Sequence, residues 1–282
     1  MTHDGPDAVE PGGAADGPAI IRLVDSHCHL DFESLAEDID GVLDRAAAAG
    51  VERIIVPALD LSNIHAVLAL AGRYDGVFAA VGVHPNSAAG WQDAWIDELR
   101  TLAQHAKVVA IGEIGLDYYW DDTPVEIQHR ALALQLELAA ELDLPVIIHN
   151  RDAAGDVLRL LAASPLAGRT RPGVLHSFSA DWSTAETALS LGFYLGFTGP
   201  ITFKKADELR QIAARMPEER ILIETDAPYL TPHPFRGRRN EPAYVRFVAE
   251  KLASVRGVSL EEIARLTTSN AERLFGLPDA AT

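Results

Sequence analysis

The sequence predicts an α/β protein, specifically a single-domain (β/α)8 TIM barrel. Short apolar runs recur eight times along the 282 residues, and segments with the 3.6-residue apolar spacing of helices separate them. This alternation implies right-handed crossovers and a parallel sheet, and eight repeats in about 260 residues fit a closed barrel. A doubly wound open sheet is the alternative, and it is disfavoured because no Gly-x-Gly-x-x-Gly motif follows the first run.

The predicted elements alternate along the chain in a regular order. The strands are expected over Ile21–Asp25, Arg53–Pro57, Val77–Val81, Val108–Gly112, Pro145–His149, Gly173–His176, Tyr194–Gly196 and Ile221–Glu224. The clearest helices are predicted over Leu35–Ala49 and over Pro124–Leu142, where the proline suits a first turn. Gly50 and Gly72 are typical of helix ends. We expect residues 20–277 to form one domain.

Both ends of the chain are predicted to lie outside the barrel. Residues 1–19 are acidic and rich in glycine, proline and alanine, with no basic segment ahead of an apolar one. This composition predicts a disordered tail rather than a secretory signal. Residues 278–282 are expected to form a short C-terminal tail.

Composition restricts the location and partners of the protein. The net charge of −17 argues against non-specific adhesion to nucleic acid, but it leaves room for a local basic or metal-lined cleft. No apolar run is long enough to cross a membrane, so no membrane association is expected. The one cysteine, Cys28, excludes an internal disulfide framework and favours a reducing, cytoplasmic location. A monomer is the default expectation.

Histidines and carboxylates occur where the predicted strands end. His27 and His29 follow the first strand, and alternate residues of an extended chain share a face, so both imidazoles point the same way. Later strand ends contribute Glu113, His149, His176 and Asp226. The C-terminal ends of all strands in a parallel barrel open on one rim, so these distant residues are expected to converge. Helix capping predicts Asp, Ser, Asn and Gly at such positions, not repeated histidine.

These six residues predict a binding site for two divalent metal ions. Four imidazoles and two carboxylates are ligands of hard-to-borderline cations, which admits zinc, manganese or magnesium. Six ligands are too many for one tetrahedral ion with an open position, and they suit two ions bridged by a carboxylate. Glu113 comes from a strand between the two histidine groups, so it is the expected bridge.

The chain resembles the TatD family of metal-dependent deoxyribonucleases, barrels of the amidohydrolase superfamily. The matching stretches are VDSHCHLD (24–31), VGVHP (81–85), IGEIGLDYY (111–119), PVIIHNRDA (145–153), LHSFSA (175–180) and ILIETDAPYLTPHPFRGRRNEP (221–242). The resemblance implies two ligand sets that share one glutamate. The first set is His27, His29, Glu113 and Asp226, and the second is Glu113, His149 and His176.

The metal site and the resemblance together predict a hydrolase that cleaves nucleic-acid phosphodiesters with a metal-activated water. We expect an exonuclease acting on DNA ends or single strands, with Asp226 as general base and Glu113 as the second catalytic residue. A small-molecule amidohydrolase or esterase, including a D-aminoacyl-tRNA deacylase, is the alternative. A non-catalytic binding barrel is a third reading, which the complete ligand set disfavours.

Three further residues of the predicted rim are candidates for substrate contacts. His84 ends the third strand, where a phosphate contact competes with a simple turn role before Pro85. Lys204 and Arg238 belong to basic clusters that follow strands seven and eight, and barrel phosphate sites favour those two loops. All three are therefore predicted to bind the substrate.

Two other features of the rim have open interpretations. Glu224 lies two residues before Asp226, and it is predicted to support a metal ligand from behind, with a structural ion pair as the alternative. Residues 117–120, with three aromatic side chains, and Phe178 lie in rim loops. Aromatic rings there could stack on nucleic-acid bases, or they could pack a loop onto the barrel.

Overall fold

Eight parallel strands curl into a nearly closed barrel in the computed structural model, which describes residues 21–278. The strands are β1 (Leu23–Asp25), β2 (Val51–Pro57), β3 (Val77–Val81), β4 (Val108–Asp117), β5 (Val146–Arg151), β6 (Gly173–Leu175), β7 (Tyr194–Phe197) and β8 (Ile221–Ile223). Each strand pairs with the next along the chain, from β1 to β8, which confirms the predicted TIM barrel. The predicted tails, 1–19 and 278–282, lie outside the described residues except for Pro278.

Helices lie between successive strands and after the last one. Among residues 21–278 they are α1 (Glu33–Ala36), α2 (Ile39–Ala48), α3 (Leu61–Arg73), α4 (Trp95–Leu102), α5 (Val125–Glu141), α6 (Ala154–Ala163), α7 (Trp182–Ser190), α8 (Asp207–Arg215), α9 (Val245–Arg256) and α10 (Leu260–Phe275). Short 3₁₀ turns cover Pro85–Gly90, Gly199–Thr202, Glu218–Arg220 and Pro242–Tyr244. None of the helices in this part of the chain is long and apolar enough to cross a membrane.

One of the two helices predicted in detail is interrupted. The helix expected over Leu35–Ala49 is wrong as a continuous element, because the chain leaves helical geometry at Asp38, with φ of −129° and ψ of 42°. Aspartate favours helix starts over helix interiors, and the Asp38 carbonyl accepts the first hydrogen bond of α2, from Val42 N at 2.8 Å. The helix expected over Pro124–Leu142 is confirmed as α5, with Pro124 immediately before its first residue.

The barrel closes at a seam between β8 and β1 that side chains hold together. The Ser26 amide donates to the Ile223 carbonyl at 3.2 Å, and one isolated bridge links Cys28 to Ala227. The buried Asp25 carboxylate accepts from the Thr225 backbone N–H at 2.9 Å and from the Thr225 hydroxyl at 2.6 Å. The seam therefore places the residues that follow β1 beside those that follow β8.

The inside of the barrel is apolar, and α10 covers one end of it. Side chains such as Ile55, Ile147 and Leu222 fill the interior and pack with Leu274 and Phe275 of α10. The buried Arg53 near the start of β2 pairs with Glu272 of α10 at 2.5 Å and donates to the Pro278 carbonyl at 2.8 Å. Because α10 occupies the end where the strands begin, polar side chains collect at the opposite rim.

Candidate metal centre

The seam brings four predicted ligand atoms into one compact group. The His27 Nε2 and His29 Nε2 atoms lie 3.3 Å apart. Asp226 Oδ1 is 3.6 Å from the first and 3.5 Å from the second. Glu113 Oε2 is 3.4 Å from His27 Nε2 and 3.9 Å from His29 Nε2. Residues from β4 and from both sides of the seam therefore point at one place.

The other oxygen of Glu113 faces a second group of imidazoles. Oε1 lies 2.8 Å from His149 Nδ1 and 2.9 Å from His176 Nε2. His84 Nε2 is 3.6 Å from the same oxygen. The two oxygens of one carboxylate thus serve different sets of histidines, as the sequence prediction of a bridging glutamate requires.

The separations within the first group suit a shared cation. Donor atoms held about 2.1 Å from one ion at tetrahedral angles lie about 3.4 Å apart, which is close to the observed separations. Residues 21–278 contain three groups of side chains that could hold a metal ion, namely His27–Glu113–His176, His27–His29–Asp226 and His84–Glu113–His149. Buried imidazole and carboxylate donors facing one another at these distances fit divalent metal binding.

The tight approach of β4 and β5 depends on a glycine. Gly115 has a φ of +154°, and a Cβ added there would lie 1.9 Å from the His149 carbonyl oxygen. Any side chain at this position would push the two strands apart. Because Glu113 belongs to β4 and His149 to β5, the glycine permits their 2.8 Å contact.

Charge balance in this buried cluster sets the protonation of its members. Burial alone would raise the pKa of Glu113, but the positive charges of nearby histidines, His176 first, hold it well below its usual range. Burial alone would lower the pKa of His176, yet the Glu113 carboxylate and other acids raise it to about 10. Burial dominates at His27 and lowers its pKa to about 4. Glu113 is therefore ionised at neutral pH, and His176 carries a proton when no cation replaces it.

Asp117 contacts the candidate site through a hydrogen bond to His149 that the sequence did not predict. Its Oδ2 lies 2.9 Å from His149 Nε2, and its Oδ1 accepts the backbone N–H groups of Tyr119 at 2.9 Å and Trp120 at 3.1 Å. A carboxylate only accepts hydrogen bonds, so it fixes a proton on Nε2 and turns Nδ1 toward Glu113. Residues 117–120 are predicted to lie in a rim loop, whereas β4 continues through Asp117.

Glu224 is fully buried and lies next to His176. It accepts hydrogen bonds from the Ser26 hydroxyl at 3.0 Å and from the Ser177 backbone N–H, and its Oε1 is 3.7 Å from His176 Nδ1. Burial raises the pKa of Glu224 to about 7. A Cβ added to Gly196 would lie 2.6 Å from the carboxylate, so this glycine leaves the space that Glu224 occupies.

The residues predicted to bind the substrate occupy different depths. His84 is largely buried beside Glu113, and its Nδ1 accepts the Asn86 backbone N–H at 3.1 Å. Burial lowers the pKa of His84 to about 3, so its neutral ring directs an Nε2–H group into the site. Lys204 and Arg238 are exposed in the loops after β7 and β8. Of these three residues, His84 alone belongs to a group that could hold a metal ion, together with Glu113 and His149.

Aromatic side chains of the rim divide into buried and exposed ones. Phe178 is 4% exposed and packs in the core, so the packing alternative holds for this residue. Tyr119 and Trp120 are 56% and 51% exposed, and Tyr229 in the loop after β8 is 54% exposed. No pattern in the sequence marks Tyr229 as a rim residue, although it follows Asp226 by three positions.

Comparisons with known proteins agree with this geometry. A family model described as TatD related DNase matches residues 24–276. An uncharacterized metal-dependent hydrolase, YabD of Bacillus subtilis, is 45% identical over 256 residues, covering 90% of this chain and 98% of that protein. The 3'-5' ssDNA/RNA exonuclease TatD of Klebsiella pneumoniae is 36% identical over 260 residues, with coverages of 90% and 98%. The crystal structure of YjjV, a TatD homolog from Escherichia coli K12, has a TM-score of 0.86 and 39% identity, covering 92% of this chain and all of that one.

Proposed function

Because the chain belongs to the family of TatD-related DNases, which are metal-dependent hydrolases, we propose that it hydrolyses nucleic-acid phosphodiesters. The proposed activity is that of an exonuclease on DNA ends or single strands. The observation that carries it is the division of Glu113 between two donor groups. Support also comes from the similar protein of Klebsiella pneumoniae that is named a 3'-5' ssDNA/RNA exonuclease.

The proposed site holds two divalent cations. One would be held by His27, His29, Glu113 and Asp226, and the other by Glu113, His149 and His176. Divalent cations at these positions would supply Lewis-acid chemistry, neutralising the phosphate charge and lowering the pKa of a bound water. The nitrogen-rich donor set favours zinc over magnesium.

Asp226 is the proposed general base. Its side chain is 15% exposed, whereas the side chain of Glu113 is 3% exposed, so Asp226 is the more accessible of the two carboxylates. Burial would raise the pKa of Asp226, but its hydrogen bond to His29 and the neighbouring histidine charges lower it, so the carboxylate is ionised at neutral pH. An ionised, accessible carboxylate can accept a proton from an attacking water. Buried Glu113 suits a fixed catalytic bridge.

Three residues are proposed to contact the substrate phosphates. His84 would donate from Nε2 within the site, because its Nδ1 is already an acceptor. Lys204 and Arg238 would attract the flanking phosphates from the rim, which matters in a chain with a net charge of −17. Their neighbour Arg239 is less available, since it pairs with Glu241 at 3.2 Å and donates to the Ser34 carbonyl.

Substitution of the proposed base tests the function. Asp226→Asn is expected to lower kcat on end-labelled single-stranded DNA by about 100-fold or more, since it removes a general base. Asp152→Asn is a matched control, because Asp152 is an exposed rim residue whose φ of 56° resembles the 54° of Asp226. Near-normal cleavage by Asp226→Asn would refute this assignment.

The choice of substrates separates the competing activities. Purified enzyme with added zinc, manganese or magnesium would be assayed on single-stranded DNA, duplex DNA, RNA, a D-aminoacyl-tRNA and N-acyl amides. Hydrolysis of the aminoacyl ester or the amides, without cleavage of any nucleic-acid strand, would overturn the nuclease proposal. Metal analysis of the same preparation tests the number of bound cations.

We propose further that the enzyme is a cytoplasmic monomer. Cys28 is free and buried, as suits a reducing compartment. Cell fractionation and light scattering of the purified protein test these two statements, and a stable dimer in solution would contradict the second.

A further inference from the structure

The most exposed large apolar side chains of the described chain concentrate at one rim. They are Tyr119, Trp120, Val125 and Tyr229, exposed by 56%, 51%, 41% and 54%. The three aromatic ones follow β4 and β8, on the same end of the barrel as the candidate metal centre. Aromatic side chains left exposed to water around a polar site are typical of a ligand-binding surface.

The first aromatic wall, Tyr119 and Trp120, follows β4 and is connected through Asp117 to the part of the metal centre that contains His149. The rings of Tyr119 and Trp120 meet edge to face with centroids 4.8 Å apart. The Arg151 guanidinium lies over the Tyr119 ring, 4.1 Å from its centroid. Asp117 binds the backbone N–H groups of both aromatic residues through one oxygen and contacts His149 through the other. This wall, Tyr119 and Trp120, is thereby fixed relative to a candidate ligand.

The second aromatic wall, Phe32 and Tyr229, lies beside β8 and contacts the part of the metal centre that contains His29. Tyr229 meets Phe32 edge to face at 6.0 Å, and Phe32 stacks on His29 with centroids 4.9 Å apart and planes 28° apart. Buried Asn240 donates to the Tyr229 carbonyl at 2.6 Å and to the Thr225 carbonyl at 2.9 Å, which holds the loop in place. The Phe32 ring of this wall therefore contacts the candidate ligand His29 directly.

The two walls lie on opposite sides of the rim. The strands follow chain order around the barrel, so β4 and β8 are four positions apart in a ring of eight. Glu113 and the histidines lie between them. A strand crossing the metal centre would therefore meet an aromatic wall on each side.

We propose that the two walls form a clamp that stacks on unpaired bases of a single-stranded nucleic acid, one on each side of the reacting phosphate. This proposal rests on the proposed nuclease function and names its substrate more narrowly. Every base has a π-face, so stacking tolerates any sequence, and paired bases inside a duplex do not present that face. The Arg151 guanidinium over the Tyr119 ring adds a positive charge to this wall. That charge can attract the phosphate that follows a stacked base.

Three variants test the clamp. Tyr119→Ala with Trp120→Ala removes the first wall, Tyr229→Ala removes the exposed part of the second, and Val125→Ala is the control. Val125 is the remaining exposed large apolar residue, and it belongs to neither wall. Tyr229→Phe serves as the conservative variant, because it keeps the ring and removes only the hydroxyl.

The readout compares a base-bearing substrate with a base-free one. For each variant kcat/KM is measured on oligo(dT), on the same strand with abasic nucleotides, and on methyl p-nitrophenyl phosphate. Stacking contributes about 1–3 kcal/mol per base, so each wall variant is expected to lower the ratio of oligo(dT) to small-diester kcat/KM about 10-fold, mainly through KM. On the abasic strand the wall variants and the wild type should differ by less than about twofold. Tyr229→Phe and Val125→Ala should keep the wild-type ratio.

The possible failures are distinguishable. Wild-type cleavage of oligo(dT) with an unchanged ratio in both wall variants would overturn the clamp and leave the nuclease function standing. An equal loss on both kinds of substrate would show a structural role for the rings and would also overturn the clamp. Wild-type hydrolysis of the small diester without cleavage of any strand would overturn the clamp and the nuclease function together.

Discussion

Asp117→Asn is a nearly isosteric change that tests how the rim holds a candidate metal ligand. The Asp117 carboxylate faces four donors and no acceptor. Oδ1 accepts from Tyr119 N at 2.9 Å and Trp120 N at 3.1 Å, whereas Oδ2 lies 2.9 Å from His149 Nε2 and 3.3 Å from Asn86 Nδ2. An asparagine must turn its NH₂ group toward one of these two pairs. Either orientation leaves two partly buried donors without an acceptor.

The free-energy cost of Asp117→Asn follows from the number of donors that lose an acceptor. A fully buried donor without a partner costs about 1–3 kcal/mol, so two partly buried ones should cost about 1–3 kcal/mol together. The imidazole of His149 can avoid the loss by moving its proton from Nε2 to Nδ1, but Nδ1 is the atom that faces Glu113. A protonated Nδ1 has no lone pair for a cation. We therefore expect metal affinity to fall about 10–100-fold, the usual range for a residue that orients a ligand.

Metal titration provides the assay. Chelated and dialysed protein would be titrated calorimetrically with zinc and manganese, and the thermal midpoint of the metal-free form would be measured in parallel. Asp122→Asn is the matched control, because Asp122 is an exposed acid of the same loop. The reasoning is refuted if Asp117→Asn binds metal with wild-type affinity and stoichiometry. It is equally refuted if the Asp122 variant loses as much.

Two further predictions follow from the same cluster. Gly196→Ala would place a Cβ 2.6 Å from the Glu224 carboxylate and should destabilise the protein by about 1–3 kcal/mol. Gly155→Ala is the control, because open space surrounds this residue on α6, and it should be neutral or stabilising by up to about 1 kcal/mol. Equal thermal midpoints for the two variants would contradict this prediction. Metal binding should release protons, because the acids around His176 raise its pKa to about 10 against the effect of burial, and a cation must displace that proton. Apparent affinity should then rise with pH up to about 10, the raised pKa. Calorimetry in buffers of different ionisation enthalpy measures the release, and heats independent of buffer would exclude it.

The strands of the barrel could be predicted from the sequence because the side chains on both of their faces are mostly apolar. β3 is the simplest example, since Val77–Val81 is buried throughout and its bounds were predicted without error. The last part of β4 escaped prediction because Gly112, Glu113 and Gly115 interrupt the apolar run. In the fold the two glycines are required by the close approach of β5, a tertiary condition that a local pattern does not contain.

The candidate site shows the same division between local and tertiary information. His27, His29 and Glu113 could be placed because strand alternation and the common rim of a parallel barrel fix where they point. The support that Asp117 gives to one histidine depends on the register between β4 and β5, in which Asp117 pairs with Arg151. The contribution of Tyr229 depends on loop geometry, for which no periodic pattern exists.

The seam between β8 and β1 also governs when during synthesis the site can form. The Asp25–Thr225 contact that holds the seam joins residues 200 positions apart. At ribosomal rates of about 5–20 residues per second, the histidines that follow β1 leave the ribosome about 10–40 seconds before Asp226 does. Until then a nascent chain lacks one carboxylate of the cluster and the strand that positions it. An incomplete polypeptide therefore cannot carry the finished hydrolytic site, and the chemistry begins only when the last strand has joined the first.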